Sequence, residues 1–193
     1  MAAKPKHHSS DVPENKFGLS EQVELQRRET PFALRRLLEL QLRPIAGDFD
    51  TRHLQAIHRY IFQDVYGWAG ELRTVGIAKP GAAFPPPAFL KVNLDSLFVE
   101  LAHENSLKNL SAAAWVHRAA YFLGEINAIH PFREGNGRTQ REFIRELALA
   151  GGYRLIWAKH TQQEMIEASQ RSFLRKDYSA LEGILCAAPG IDK

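Results

Sequence analysis

His130-Pro131-Phe132-Arg133-Glu134-Gly135-Asn136-Gly137-Arg138-Thr139-Gln140-Arg141 gathers a base, a carboxylate, two glycines around an amide, and several arginines into one short loop and a helix start. The residue before a proline is pushed out of the right-handed helical region, so a helix running into His130 must stop at Pro131. Gly135 and Gly137 let successive backbone N–H groups converge, and such a nest at a helix N-terminus suits an anion. Arg138 and Arg141 lie three apart and share one helix face. Guanidinium pairs at that spacing fork onto phosphate oxygens. Glu134 is a hard oxygen ligand suited to Mg²⁺. His130 is the group in the run that titrates near neutrality, which makes it the natural proton acceptor. Together these parts suit a nucleoside triphosphate. Taken singly, each has a plainer reading: a structural histidine, a solvated carboxylate, a simple turn, a surface arginine face beside Glu142. Their conjunction in one ordered run favours function.

The run has the form H-x-F-x-[D/E]-G-N-G-R-x-x-R and resembles the signature of Fic-domain enzymes at every specified position. The resemblance extends over most of the chain from about Asp50. It implies an all-α Fic fold, a compact helical bundle with a small β-hairpin flap over the active site. It also implies an activity: transfer of AMP from ATP to a Tyr, Ser or Thr hydroxyl of a target protein, with release of pyrophosphate. His130 would take the hydroxyl proton. Glu134 would hold Mg²⁺ across the α- and β-phosphates. The amides of Gly135, Asn136 and Gly137, with the Asn136 side chain, would hold the same oxyanions, and Arg138 and Arg141 the β- and γ-phosphates. Phe132 would turn inward and anchor the loop. Fic-like proteins that lack the second glycine or the final arginine can turn the nucleotide round and transfer phosphate; Gly137 and Arg141 are both present here. Transfer of UMP or phosphocholine by the same loop stays open.

Outward from the loop the chain reads as helices. Arg138 to Ala150 resumes helically with Phe143, Ile144, Leu147 and Ala148 inward, and Gly151-Gly152 ends it. Tyr153, Leu155, Ile156 and Trp157 form an apolar link that fits an adenine pocket and core packing equally well. Thr161-Gln162-Gln163-Glu164 is a capping box opening a helix with Met165, Ile166 and Ala168, and Asp177 caps a last helix carrying Leu181, Ile184 and Leu185. Upstream, Ser111 caps a helix whose broad apolar side (Trp115, Val116, Ala119, Phe122, Leu123, Ile126) makes it the central one. Ala88 to about Glu104 buries Leu90, Leu94, Leu97, Phe98 and Leu101. A helix from about Asp50 to Gly67 buries Leu54, Ile57, Ile61, Phe62 and Val65. Tyr66-Gly67-Trp68-Ala69-Gly70 after it also resembles Fic domains.

Leu72 to Pro87 is different in kind. Val75 and Ile77 alternate with Thr74 and Gly76, Lys79-Pro80-Gly81 offers a type II turn, and Phe84 starts a return leg that Pro85-Pro86-Pro87 terminates. This is a short, irregular hairpin, and two strands alone are marginal. The resemblance makes it the flap that pairs with the target's backbone by strand addition, through Val75, Gly76, Ile77, Ala78 and Lys79.

Residues 1–28 lack periodicity and read as a flexible arm, with His7 and His8 an unstructured pair. Thr30-Pro31 reads as an N-cap with proline at the first helical position, followed by Leu34, Leu37, Leu38 and Leu42 on one face and a stop at Pro44. The expected organisation is an arm over 1–28 and a single Fic domain over 29–193, with core about 50–187, flap about 72–87 and active-site loop 130–138.

The 193 residues carry a net charge of +3, with pI near 9.1. That mild basicity accommodates ATP or an acidic partner but does not argue for direct binding to nucleic acid. No apolar run approaches the ~20 residues needed to span a bilayer, and the single cysteine, Cys186, excludes an internal disulfide. A cytoplasmic protein is expected, with a secreted effector as the alternative. Family analogy points to targets such as DNA gyrase or topoisomerase subunits. Many Fic enzymes are restrained by a helix of form [S/T]-x-x-x-E-[G/N]. Ser10-Asp11-Val12-Pro13-Glu14-Asn15 matches, but Pro13 falls where a helix interior is needed, at a cost of ~3 kcal/mol. Ser179-Ala180-Leu181-Glu182-Gly183 is one residue short. The expectation is a separate small antitoxin that supplies the helix. A non-catalytic nucleotide-binding module and a purely structural helical adaptor are the readings from other classes.

Overall fold

The computed structural model describes residues 12–79, 82–157 and 160–187. Among them run seven α-helices: α1 Gln22–Leu42, α2 Thr51–Phe62, α3 Leu90–His103, α4 Ala112–Ile129, α5 Asn136–Ala150, α6 Gln162–Arg175 and α7 Ser179–Cys186. Side chains mark several of their ends. Asp50 accepts from the His53 N–H at 2.8 Å, Ser111 accepts from Ala114, and Thr161 and Glu164 close the capping box. Each satisfies donors that a helix start leaves without an intrahelical partner. Asp177 accepts from the Ser179 N–H at the start of α7 at 3.0 Å. After α5, Gly152 turns left-handed at φ 85°. Its N–H donates to Leu149 and that of Tyr153 to Ala148, which is the Schellman pattern.

α4 is the hub, packing against α3, α5, α6 and α7. All six of its expected apolar residues are buried, as are the stripes of α2, α3, α5 and α7. Burying each valine, leucine, isoleucine or phenylalanine among them contributes roughly 1.5–3 kcal/mol. A polar network fixes the far side of α5. Arg145 forks onto Glu142 and reaches the Leu40 carbonyl at 3.1 Å, while Glu146 accepts from the Ile45 N–H and from His53. The link between α1 and α2 is thereby strapped to α5. No described helix is long and apolar enough to cross a membrane.

The N-terminal expectation is corrected. Residues 12–20 are an ordered link rather than a free arm. Asn15 Oδ1 accepts from the N–H groups of Phe17 and Leu19, Lys16 N–H donates to Val65 at 2.8 Å, and Trp68 Nε1 donates to the Glu14 carbonyl at 2.9 Å. α1 begins at Gln22, so Pro31 lies inside it instead of at its first position. Its buried face is Leu25, Glu29, Ala33 and Leu40. Leu34, Leu38 and Leu42 point outward, 55%, 58% and 84% exposed. Polar docking sets this face: Arg36 forks onto Asp64 of the turn after α2 at 2.7 and 2.9 Å, and Glu39 accepts from Tyr60. α2 also ends earlier than Gly67, at Phe62, and α5 starts two residues before Arg138.

The hairpin is present and short. β1 (Ala78–Lys79) and β2 (Ala82–Ala83) run antiparallel, pairing Ala78 with Ala83 and Lys79 with Ala82. A 3₁₀ turn, Pro87–Phe89, leads into α3. Pro80-Gly81, His7, His8, Ser10 and Asp11 lie outside the described residues.

Candidate active site

α4 delivers His130 as its C-cap at φ 48°, ψ 61°. That left-handed conformation is uncommon for a residue other than glycine, with histidine among the more tolerant exceptions. It turns the chain sharply, and Pro131 prevents return to the helix. The imidazole is buried, 8% exposed, and stacks on Phe84 of the hairpin's second leg with ring centroids 4.4 Å apart.

Phe132 holds the loop from below, as expected. It is 1% exposed and stacks on the His58 imidazole at 3.9 Å. His58 Nδ1 accepts from the Gly70 N–H at 2.8 Å, so its Nε2–H faces the Glu134 carbonyl at 3.1 Å. Burial drives the His58 pKa down to about 4, keeping the ring neutral in that tautomer. Gly135 at φ 78° is the N-cap of α5 and presses against Phe62, where any Cβ would collide with the ring. The glycine is therefore required by both conformation and space.

The Asn136 side chain has a structural part in the loop. Its Oδ1 accepts from the Phe132 N–H at 2.9 Å and its Nδ2 donates to the Phe132 carbonyl at 2.7 Å. The amide closes the loop on itself through its oxygen and one N–H, and Asn136 also offers its backbone N–H at the start of α5. No side chain caps α5, so the N–H groups of its first turn and the positive end of its dipole face the site.

Beside the loop lies a cavity of about 900 Å³. Stretches far apart in sequence wall it, among them Leu25 and Glu29 of α1, the loop with the start of α5, and Met165 and Phe173 of α6. His130, Glu134, Gly135, Asn136, Gly137, Arg138 and Arg141 all line it. Of the hairpin, Ile77 and Phe84 line it; Val75 and Gly76 precede β1, half-buried and exposed respectively, and Ala78 and Lys79 form β1. The apolar link after α5 divides its duties. Tyr153 and Leu155 are core, whereas Trp157 lines the cavity and donates from Nε1 to the Arg141 carbonyl at 3.1 Å.

The two arginines differ. Arg138 pairs with buried Glu29, which also accepts from the Tyr66 hydroxyl, and its guanidinium lies over the Phe62 ring at 4.7 Å. Arg141 has no carboxylate partner among the described residues. Burial, and then the Arg138 charge, push its pKa down, as expected of a cation that lacks a counter-ion. Glu134 is half-buried, and its Oε1 accepts from the Gly135 N–H at 2.9 Å. No group of three or more His, Cys, Asp or Glu among the described residues could hold a metal by itself. The donor set fits a cation that takes one protein carboxylate and draws its other oxygens from phosphate and water, which is the habit of Mg²⁺.

Glu29, His58 and Arg73 are the contributors that sequence reasoning missed. Arg73 is 4% exposed and donates to carbonyls on both sides of the site. Its place three residues after Gly70, in the turn region between two helices, was the available signal.

A sequence model of the Fic/DOC family matches residues 48–148. The chain belongs to the Fic/DOC family. It is 43% identical over 159 residues to the protein adenylyltransferase VbhT of Bartonella schoenbuchensis, covering 82% of this chain and 33% of that protein. It is 32% identical over 174 residues to the Escherichia coli protein named Probable protein adenylyltransferase Fic, covering 90% of this Fic chain and 86% of the relative. The chain thus spans a third of the length of VbhT and most of the length of the Escherichia coli protein. Among solved structures, the N-terminal Fic domain of a VirB-translocated Bep effector from Bartonella quintana, with bound ADP, superposes with a TM-score of 0.86 at 26% identity, covering 93% of this chain and 91% of that one. The expected all-α Fic fold is the fold observed.

Proposed function

We propose that this Fic chain transfers AMP from ATP to a hydroxyl side chain of a target protein. The observation that carries the proposal is the cavity in which His130 shares one space with the uncapped start of α5 and the two guanidiniums. Names of relatives support the same chemistry. Phosphoryl-type transfer needs alignment and charge stabilisation more than covalent chemistry from the protein, and the site is built accordingly. The first-turn N–H groups of α5 receive phosphate oxygens, and Arg138 and Arg141 hold the β- and γ-phosphates. The α-phosphorus then faces the imidazole. The target hydroxyl oxygen forms a bond to that phosphorus, His130 accepts the hydroxyl proton, and the bond to the bridging oxygen breaks so that pyrophosphate leaves with its electron pair. Proton removal of this kind contributes roughly 10²–10⁴-fold. Glu134 would hold Mg²⁺, which when bound neutralises phosphate charge. Trp157 and the inner face of α6 offer apolar contact for the base.

The test is transfer of label from α-labelled ATP into proteins of a cell lysate. The unsubstituted chain should label a discrete protein, and His130→Ala should lose transfer by at least two orders of magnitude. Transfer at the parent rate by that variant would remove His130 as the base.

A separate small antitoxin with an S/T-x-x-x-E-G/N helix is part of the proposal. Residues 12–15 support it: they are not helical, and Asn15 is committed to its own turn, so Glu14 does not sit on an inhibitory helix. Deleting residues 1–16 should leave the transfer rate within a few-fold. A large rise would place the inhibitor within this chain.

A further inference from the structure

Arg73 is a buried guanidinium with no carboxylate partner among the described residues. Its hydrogen bonds go to carbonyls instead. Nε donates to His130 at 2.8 Å, Nη1 to Val75 at 2.9 Å, and Nη2 to Pro85 at 2.7 Å and, more weakly, to Ile129 at 3.4 Å. Its backbone N–H donates to Pro131 at 2.9 Å. Ile129 and His130 are the end of α4, where the helix dipole is negative and terminal carbonyls lack intrahelical donors. Val75 lies on the leg entering the hairpin and Pro85 on the leg leaving it. One planar fork therefore ties the two feet of the hairpin to the backbone of the residue carrying the imidazole. The same junction is closed a second time by side chains, since Phe84 of the leaving leg stacks on His130 and packs toward Phe173 of α6 at 5.4 Å.

We propose that Arg73 is a positioning residue that makes the hairpin and His130 one mechanical unit, so that a target strand docking on the hairpin also fixes the imidazole. The left-handed backbone at His130 is a conformation that surroundings must hold, and Arg73 supplies a strong, charge-assisted bond to its carbonyl. A lysine in its place keeps the charge but loses the fork, and cannot reach carbonyls of both legs and of α4 with fixed geometry. Nothing in the ring of contacts reaches Arg138 or Arg141, so the phosphate side of the site is independent of it. Misplacement of a reacting group by about 1 Å can cost 10²-fold. The inference rests on the proposed transfer reaction.

The test compares Arg73→Lys and Arg73→Gln with the parent. Expected are ADP affinity, measured by titration with ADP, and KM for ATP within twofold of the parent, with the maximal rate of label transfer into a fixed lysate reduced roughly 10- to 100-fold. Amide hydrogen exchange should quicken at 74–77 and 130–133 together. A maximal rate within threefold of the parent overturns the proposal. So does ADP affinity falling in step with the rate, which would mean collapse of the whole loop, or loss of the folded state in both variants, which would make Arg73 scaffold. If the parent itself transfers no label, the transfer reading fails separately and the exchange pattern alone decides: joint quickening in the two segments with unaltered ADP binding supports the coupling, and quickening in only one overturns it.

Discussion

His58 takes no part in the transfer, yet the shape of the loop passes through it. Its ring lies under Phe132 and joins the Gly70 N–H to the Glu134 carbonyl, and the bond from Gly70 needs the neutral imidazole, because a protonated Nδ1 cannot accept. Burial lowers its pKa from 6.5 to about 4. The unfolded chain therefore binds this proton below pH 6.5 while the folded chain does not, so the stability is complete above that value and is lost as pH falls toward 4. Between pH 7 and pH 5 the loss from this group should be about 2 kcal/mol. Urea midpoints at the two pH values measure it; His58→Gln should start less stable and show a shallower fall. An equal fall in the variant would assign the titration elsewhere. The contrast with the loop residues is instructive. Gly135, Arg138 and Arg141 were legible because their chemistry is local, whereas His58 meets its carbonyl partner 76 residues away, and no local pattern marks it.

At the scale of elements, capping signals predicted α2, α4 and α6 well because Asp50, Ser111 and Thr161 act on the turn that follows them. α1 misled for a physical reason. Thr30-Pro31 has the form of a helix start, and the leucines after it form a regular stripe. The folded helix instead buries a glutamate and an alanine, because Glu29 meets Arg138 and Tyr66, and Arg36 meets Asp64. A count of apolar residues cannot weigh such pairings. Leu34→Lys and Leu38→Lys should each change unfolding free energy by less than about 0.5 kcal/mol, whereas Leu25→Ala, at a position 1% exposed, should cost roughly 2–5 kcal/mol. Urea unfolding of the three variants distinguishes this face from the leucine stripe; the reverse ranking would mean that the helix is rotated.

At the scale of the molecule, the family segment 48–148 holds the loop but only part of the walls. Leu25 and Glu29 come from before it, and Met165 and Phe173 from after it. Such joins leave no periodic trace; the bond from Arg145 to the Leu40 carbonyl spans 105 residues. Nucleotide binding should consequently stabilise the full chain. With ADP at 100 times its dissociation constant the gain is about 2.7 kcal/mol, a rise in Tm of roughly 5–10 °C for a chain of this size. A fragment limited to 48–148 should show no shift in the same scan. An equal shift in the fragment would make α1 and α6 dispensable to the site.

The twist at position 130 bears on how its own removal must be measured. An alanine there deletes the ring and also substitutes a side chain found less often than histidine at positive φ. Part of any lost turnover in that variant would then reflect a relaxed bend instead of a missing acceptor. Asparagine accepts positive φ readily and offers no comparable base. His130→Asn is therefore the cleaner comparison, and the gap between the two variants reports how much of the rate depends on holding the bend.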